Sequence, residues 1–391
     1  MRILCRQIAL FGLMVLTMLI SRSAPAASDA QAPLLIDRQL QSRSIRLVEI
    51  NDRSLIGNDL DGQPIRMPID QCVALLFAPA LARPAGQAIL RLSDGQVLPG
   101  SLITDSAASD GVMLWRHERL GRMDVPLDRV TSVQFTTSMP VGYARDADLI
   151  SLANGDRLEG FVTAVSDPVL VEIASGRDGS NVQSVSVPLA NVASLTMVAP
   201  AGTRNGTYIW FKDGLVLSVD SIRIADDGFV RLTSSWIDGP VEPWELPELA
   251  GIVFDSAGII PLAAVSSVRI DGPDSRYVTP GPEISDGSSP ADLAEIECRG
   301  PVRLDYSLPP NVTRFAAEAI LPSSAESFGD YELIIRADGE VLFRHRFNAS
   351  NPRARINVAV TGSELLIELT EGANGPIQDR LILSRAMLLV E

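Results

Sequence analysis

Histidine is almost missing from this 391-residue chain, which carries only His117 and His345, and cysteine is scarce at three. A zinc site needs four Cys or His ligands at short spacing, and no such set exists here. A Ser-His-Asp triad would have to recruit one of the two histidines, and no Gly-x-Ser-x-Gly elbow is present. Basic residues are outnumbered, 33 against 48 acidic, for a formal charge of −15. That field repels polyanions and argues against nucleic acid as a partner. Amphipathic helical periodicity is absent beyond the first 26 residues. No stretch after the N-terminus is long and apolar enough to be a membrane helix. Neither a metal nor an organic cofactor is expected.

What is present begins with a leader. Arg2 and Arg6 form a basic region, residues 8–20 are mostly apolar and uncharged, and Ala24-Pro25-Ala26 places small residues where a signal peptidase reads. Residues 1–26 read as a signal peptide, which predicts an exported protein: periplasmic, cell-surface or secreted. Export permits a disulfide between Cys72 and Cys298, but they fall in different modules, and two unpaired thiols are expected. Residues 27–43 are polar and read as a tether.

A repeat follows. Met67-Pro68-Ile69-Asp70-Gln71-Cys72-Val73-Ala74-Leu75-Leu76-Phe77 recurs as Val125-Pro126-Leu127-Asp128-Arg129-Val130-Thr131-Ser132-Val133-Gln134-Phe135. It recurs again as Val187-Pro188-Leu189-Ala190-Asn191-Val192-Ala193-Ser194-Leu195-Thr196-Met197, and more weakly from Trp244 to Phe254. The third, sixth, ninth and eleventh positions are apolar, and the eighth is small. This pattern predicts a tight turn entering a short strand. Cys72 falls where Val130, Val192 and Leu249 stand, so a buried thiol is predicted. Upstream, Asp94-Gly95, Asn154-Gly155 and Asp213-Gly214 are hairpin dipeptides; the first copy has Asn51-Asp52-Arg53-Ser54 in that place.

Units at 44–82, 87–137, 146–199 and 205–258 therefore read as small, strongly bent β-barrels, similar in pattern to Sm-like or SH3-like barrels. Connectors rich in Pro, Gly or small residues separate them. The spacing predicts beads, packed singly or in pairs, rather than a continuous superhelix.

From 260 to 391 the chain reads as a run of short strands without helices, after a Gly/Pro/Ser/Asp-rich stretch at 271–290. This implies a jelly-roll β-sandwich, making the whole protein all-β. Three segments carry a family resemblance: Leu304-Asp305-Tyr306-Ser307-Leu308, Arg314-Phe315-Ala316-Ala317 and Tyr331-Glu332-Leu333-Ile334-Ile335-Arg336-Ala337-Asp338-Gly339. So do Ile356-Asn357-Val358-Ala359-Val360-Thr361-Gly362, Leu365-Leu366-Ile367-Glu368-Leu369 and Asp379-Arg380-Leu381-Ile382-Leu383-Ser384-Arg385-Ala386. In that order and spacing, residues 260–390 resemble the NPCBM family, modules found beside glycoside hydrolases. The resemblance implies a β-sandwich that binds a polysaccharide or glycan. The chain departs from the family at Cys298, where a histidine is usual, at Pro322-Ser323-Ser324, where acidic residues are common, and at Leu383, where an aromatic is usual.

A sugar site needs a flat aromatic face and planar hydrogen-bonding groups. The C-terminal module has no tryptophan. Tyr277 and Phe328 lie in loops and are the stacking candidates; Arg344-His345-Arg346, between Phe343 and Phe347, reads as a polar outer face or as a patch that reads hydroxyls or anions, with Arg344 and His345 the candidate site residues. Trp115, Trp210, Trp236 and Trp244 read as packing residues of the repeats. Asp226-Asp227 and Glu242, Glu245 and Glu248 read as solvated charge rather than a catalytic pair, and Asn58-Asp59-Leu60-Asp61-Gly62 lacks a calcium-loop frame. No catalytic residue is expected. The sequence thus predicts an exported, non-catalytic protein that binds an envelope or extracellular polysaccharide, with the repeats as spacer or interaction modules. A structural or protein-interaction role in the cell envelope is the alternative, and an accessory subunit of a glycoside hydrolase is the third reading.

Overall fold

The computed structural model describes residues 32–77, 87–104, 111–136, 146–175, 181–198, 202–225, 227–236, 242–270, 281–285, 289–375 and 377–391. The leader at 1–26 lies outside the described residues. The chain is all-β: antiparallel sheets joined by short 3₁₀ turns. Among the described residues, no helix is long and apolar enough to cross a membrane.

Each repeat is assembled from the same parts. In the third, Asp148–Leu152 turns at Asn154-Gly155 into Arg157–Ala164. The first half of that second strand pairs with Asp148–Leu152 and the second half with Val169–Ser175, so it bends. Asn181–Val187 follows, then the 3₁₀ turn Leu189–Asn191, then the closing strand Val192–Thr196, which pairs back onto the first. The fourth repeat makes the bend as a break at Asp220, between Val216–Val219 and Ser221–Ile224. The shared eleven-residue segment is the corner of this unit. Proline holds φ at −57° (Pro68), −61° (Pro126) and −54° (Pro188), and the next three residues form the turn. Cys72, Val130, Val192 and Leu249 then open closing strands and are buried, as the pattern predicts. Both Cys72 and Cys298 are free and buried, and burial pushes each thiol up to about 12.

The first repeat begins earlier than expected. Leu34–Asp37 is a strand antiparallel to Cys72–Leu76, with Leu35 opposite Leu75 and fully buried. It matches Leu90 opposite Val133, Ile150 opposite Leu195 and Ile209 opposite Ile252. Its hairpin turn is Gln39-Leu40. The Leu40 N–H donates to the Asp37 carbonyl at 2.8 Å, as Gly95, Gly155 and Gly214 donate to Leu92, Leu152 and Phe211 at 3.0 Å. The residues from Leu34 on are therefore no tether, and Asn51–Ser54 is a later turn, between Arg46–Ile50 and Ser54–Asn58. The equivalence was hidden because Leu40 takes the left-handed conformation, φ 51°, that glycine holds in the other copies at 83°, 93° and 90°.

The repeats are joined through their closing strands. Val130–Gln134 pairs with Val192–Thr196, linking the second and third repeats. Cys72–Leu76 pairs with Leu249–Val253, linking the first and fourth. One buried apolar cluster then runs through all four, including Leu75, Trp115, Leu195 and Trp244. The arrangement is the paired form of the expectation, two nested pairs, here around one shared core.

The C-terminal module is two facing sheets. One runs Glu283–Ile284, Ile296–Arg299, Arg380–Val390, Val312–Ile320, Arg353–Ala359, with Ile259–Pro261 also paired to Arg380–Val390. The other runs Ser267–Ile270, Val302–Ser307, Glu364–Thr370, Tyr331–Ala337, Glu340–Phe347. Phe315, Tyr331, Phe347 and Ile367 are buried between them, as are Cys298 and Leu383, two of the positions where the chain departs from the family pattern.

The module opens on a fifth copy of the corner, Ile260-Pro261-Leu262-Ala263-Ala264-Val265-Ser266-Ser267-Val268-Arg269-Ile270. Pro261 has φ −59° and Leu262–Ala264 is the 3₁₀ turn. Here the corner carries the chain from one sheet of the sandwich to the other. The sandwich rests on the outer face of the repeats through a third apolar cluster. Ile36, Leu40 and Ala74 of the first repeat and Tyr208 and Trp210 of the fourth meet Ala316, Met387 and Leu389. The small eighth position of the corner is needed there: a Cβ at Gly251 would lie 2.6 Å from the Pro290 Cβ.

Candidate functional site

At one end of the sandwich the loop entering Tyr331–Ala337 meets the loop leaving Glu364–Thr370, and backbone contacts fix both. Where Gly372 runs beside the Asp330 carbonyl there is no room for a Cβ. A Cβ at Gly329 would lie 2.8 Å from the Ala325 carbonyl oxygen and 3.0 Å from that of Gln378. The Asp330 carboxylate accepts two bonds from Arg346, Nε at 2.7 Å and Nη2 at 2.6 Å, and a third from the Ala373 N–H at 3.2 Å. The Arg346 guanidinium holds the Asp330 carboxyl below the usual carboxylate range.

Beneath this pair lies Asp379, 1% exposed. Its Oδ1 accepts the Asp330 N–H at 3.3 Å, and its Oδ2 has no hydrogen-bond partner among the described residues. Burial pushes the carboxyl up to about 6. Arg380 beside it binds Glu297 through two nitrogens, at 2.8 and 2.6 Å, and Ser324 Oγ at 3.3 Å.

Phe328 is carried on this rigid platform. It is 54% exposed, and its carbonyl accepts the Asn374 side-chain amide at 3.0 Å. Ile377 on the facing loop is 59% exposed. An apolar ring beside a fixed amide and a fixed carboxylate–guanidinium pair is the kind of surface that accepts the apolar face of a sugar and reads its hydroxyls.

The other expected site residues are dispersed. Tyr277 lies outside the described residues. Arg344 is on the outer face of strand Glu340–Phe347, 3.3 Å from Glu332. His345 points the opposite way, because successive residues of a strand face opposite sides. Its ring stacks near Phe343 (centroids 6.3 Å) and meets the edge of Phe347 (4.7 Å), with Nε2 buried and unpartnered among the described residues. Arg344 and His345 therefore form no joint patch. Of the residues weighed in the sequence, Arg346 does reach this end, through Asp330; the sequence reading missed Asp330, Asn374 and Asp379. The one available signal was the turn-forming run Glu371-Gly372-Ala373-Asn374-Gly375.

Trp115 and Trp244 are core, and Trp210 is 5% exposed at the junction with the sandwich. Trp236 is half-buried, with the Arg129 guanidinium 4.2 Å from its ring centre. Glu248 accepts the Glu245 N–H at 2.7 Å and pairs with Arg119, so it closes the fourth corner. Asp227 is bound by Arg231 at 2.5 Å, while Asp226 lies outside the described residues. Asp59 accepts the Gln63 N–H at 2.7 Å and shapes a hairpin turn. No group of three or more His, Cys, Asp or Glu among the described residues could hold a metal ion.

No family model matches the chain, and no curated protein matches it. Solved structures do. A CBM51 from Clostridium perfringens GH95 in complex with methyl-galactose aligns at 14% identity over 24% of this chain and 69% of that one, with a TM-score of 0.23. The CBM51-2 and INT domains of Clostridium perfringens ZmpB with GlcNAc align at 12% identity over 47% of this chain and 40% of that one, TM-score 0.29. CsCBM6-3 from Clostridium stercorarium in complex with cellobiose aligns at 11% identity over 34% and 92%, TM-score 0.20.

Proposed function

We propose that this is an exported, non-catalytic protein whose C-terminal sandwich, a module of the NPCBM type, binds a polysaccharide through the loop end around Phe328. The single observation behind this reading is the exposed Phe328 ring on an immobilised loop, beside Asn374 and the Asp330–Arg346 pair. The site recognises a solvent-exposed sugar of an envelope or extracellular polysaccharide, and the repeats act as spacer or interaction units. The test is retardation of the full chain in gels containing different polysaccharides, with F328A as the comparison. Retardation by at least one glycan class, lost in F328A, supports the reading; equal retardation of both proteins removes the site.

A second reading, a protein-interaction role in the envelope, is favoured by strand Asn181–Val187. It is a sheet edge of seven uncharged residues, and such an edge invites pairing with another chain. Pull-down of an envelope protein that is lost on placing a lysine at Val182 supports this reading.

A further inference from the structure

Where the turn of the first repeat meets the outer face of the sandwich there is a groove of about 290 Å³. The repeat side contributes Leu40, Gln41 and Ser42, and the sandwich contributes Glu318, Arg355, Asn357 and Arg385. We propose that this groove is a second binding site, distinct from the loop end, and that it takes a carboxylate-bearing saccharide such as a uronate unit of an acidic polysaccharide.

The argument begins with charge. Glu318 is the only acidic residue lining the groove, and it is already engaged: Arg385 Nη2 binds its Oε2, and Arg353 Nη1 lies 3.9 Å from its Oε1. Arg355 is the direct cross-strand neighbour of Glu318, is exposed, and has no ion pair among the described residues. Other described arginines of the module are engaged, Arg314 by the amide oxygens of Asn357 and Gln39 and the following by carboxylates. Arg303 and Arg336 hold Glu368, Arg344 holds Glu332, Arg346 holds Asp330 and Arg380 holds Glu297. The wall contributed by the repeat carries no charge, so the groove is locally positive on a chain of net charge −15. A free guanidinium fork matches a carboxylate in a two-bond geometry that a point charge does not.

The remaining surface suits a sugar. The Asn357 amide is held in place, donating to the Gln39 carbonyl at 2.9 Å and accepting from Arg314 at 2.9 Å. Gln41 and Ser42 add groups that read hydroxyls, and Leu40 with Met387 gives the groove an apolar side. The unusual left-handed leucine thus does two things: it seals the module junction and builds one wall of the groove.

The test is calorimetric titration of the full chain with trigalacturonate, with maltotriose as a neutral control and triglutamate as a non-sugar polyanion. The expected result is binding of trigalacturonate alone, weakened by raised salt, and weakened at least tenfold in R355E but not in R122E, whose arginine lies in the second repeat. F328A is expected to bind trigalacturonate as the unaltered chain does. Equal binding by R355E, equal binding of triglutamate, or no trigalacturonate binding at millimolar concentration would overturn the proposal. Loss of trigalacturonate binding in F328A would place the ligand at the loop end and overturn the second site alone.

Discussion

Asp330 and Arg346 are joined by two parallel hydrogen bonds across the hairpin that ends the sandwich, and the same carboxylate takes the backbone N–H of Ala373 from the facing loop. One aspartate therefore ties a strand to both loops that carry the candidate site. Two backbone approaches reinforce it, at Gly329 and at Gly372.

Substituting alanine for Gly372 tests that rigidity. A Cβ there has no space against the Asp330 carbonyl, so one loop must move away from the other. G372A is expected to lose roughly 2–4 kcal/mol of stability, in the range of a severe backbone clash, measured by urea denaturation. A midpoint within error of the unaltered chain would show that the loops are freely adjustable.

Asp379 predicts a pH dependence. Its folded pKa of about 6 lies above the ordinary carboxylate value near 4. Between those values the folded state binds more protons than the unfolded state, so this group lowers stability as pH rises from about 4 to about 6. D379N removes the titration. Its stability curve is expected to be flatter than that of the unaltered chain across that window, while the Asp330 N–H keeps an acceptor. Parallel curves in thermal melts from pH 4 to 7 would contradict the assignment.

Leu40 predicts a balance of opposing terms. Replacing it with glycine relieves the left-handed conformation, about 1 kcal/mol, but removes a buried side chain worth about 1.5–3 kcal/mol. L40G is expected to be less stable by about 0.5–2 kcal/mol, even though glycine is the residue in the other three copies. A stabilised L40G would mean that the leucine contributes little to the junction with the sandwich.

The elements that were legible in the sequence are those with a local chemical signature. The corners announce themselves by Pro126 and Pro188 with apolar residues at fixed spacing, and the hairpins by Asp94-Gly95 and Asn154-Gly155. The strand at Leu34–Asp37 escaped because its turn uses Gln39-Leu40, and its apolar residues lie in what reads as a polar tether. The fifth corner at Pro261 escaped because it belongs to the sandwich rather than to a repeat. The pairing of the first repeat with the fourth depends on contacts between Leu76 and Gly251 that are 175 positions apart, which no local pattern encodes. At the site, Phe328 was legible as a loop aromatic. Arg344 and His345 were grouped by adjacency although strand alternation separates them, and Asp330, Arg346 and Asn374 come together only through the fold.

The most direct measurement is the migration of the full chain and of F328A through native gels containing neutral and acidic polysaccharides, with melting curves recorded for both. The account predicts retardation of the unaltered chain by at least one glycan class, loss of that retardation in F328A, and melting temperatures within about 1 °C, because an exposed ring contributes little to folding. Failure of every glycan class to retard the unaltered chain, or identical retardation of F328A, would contradict it.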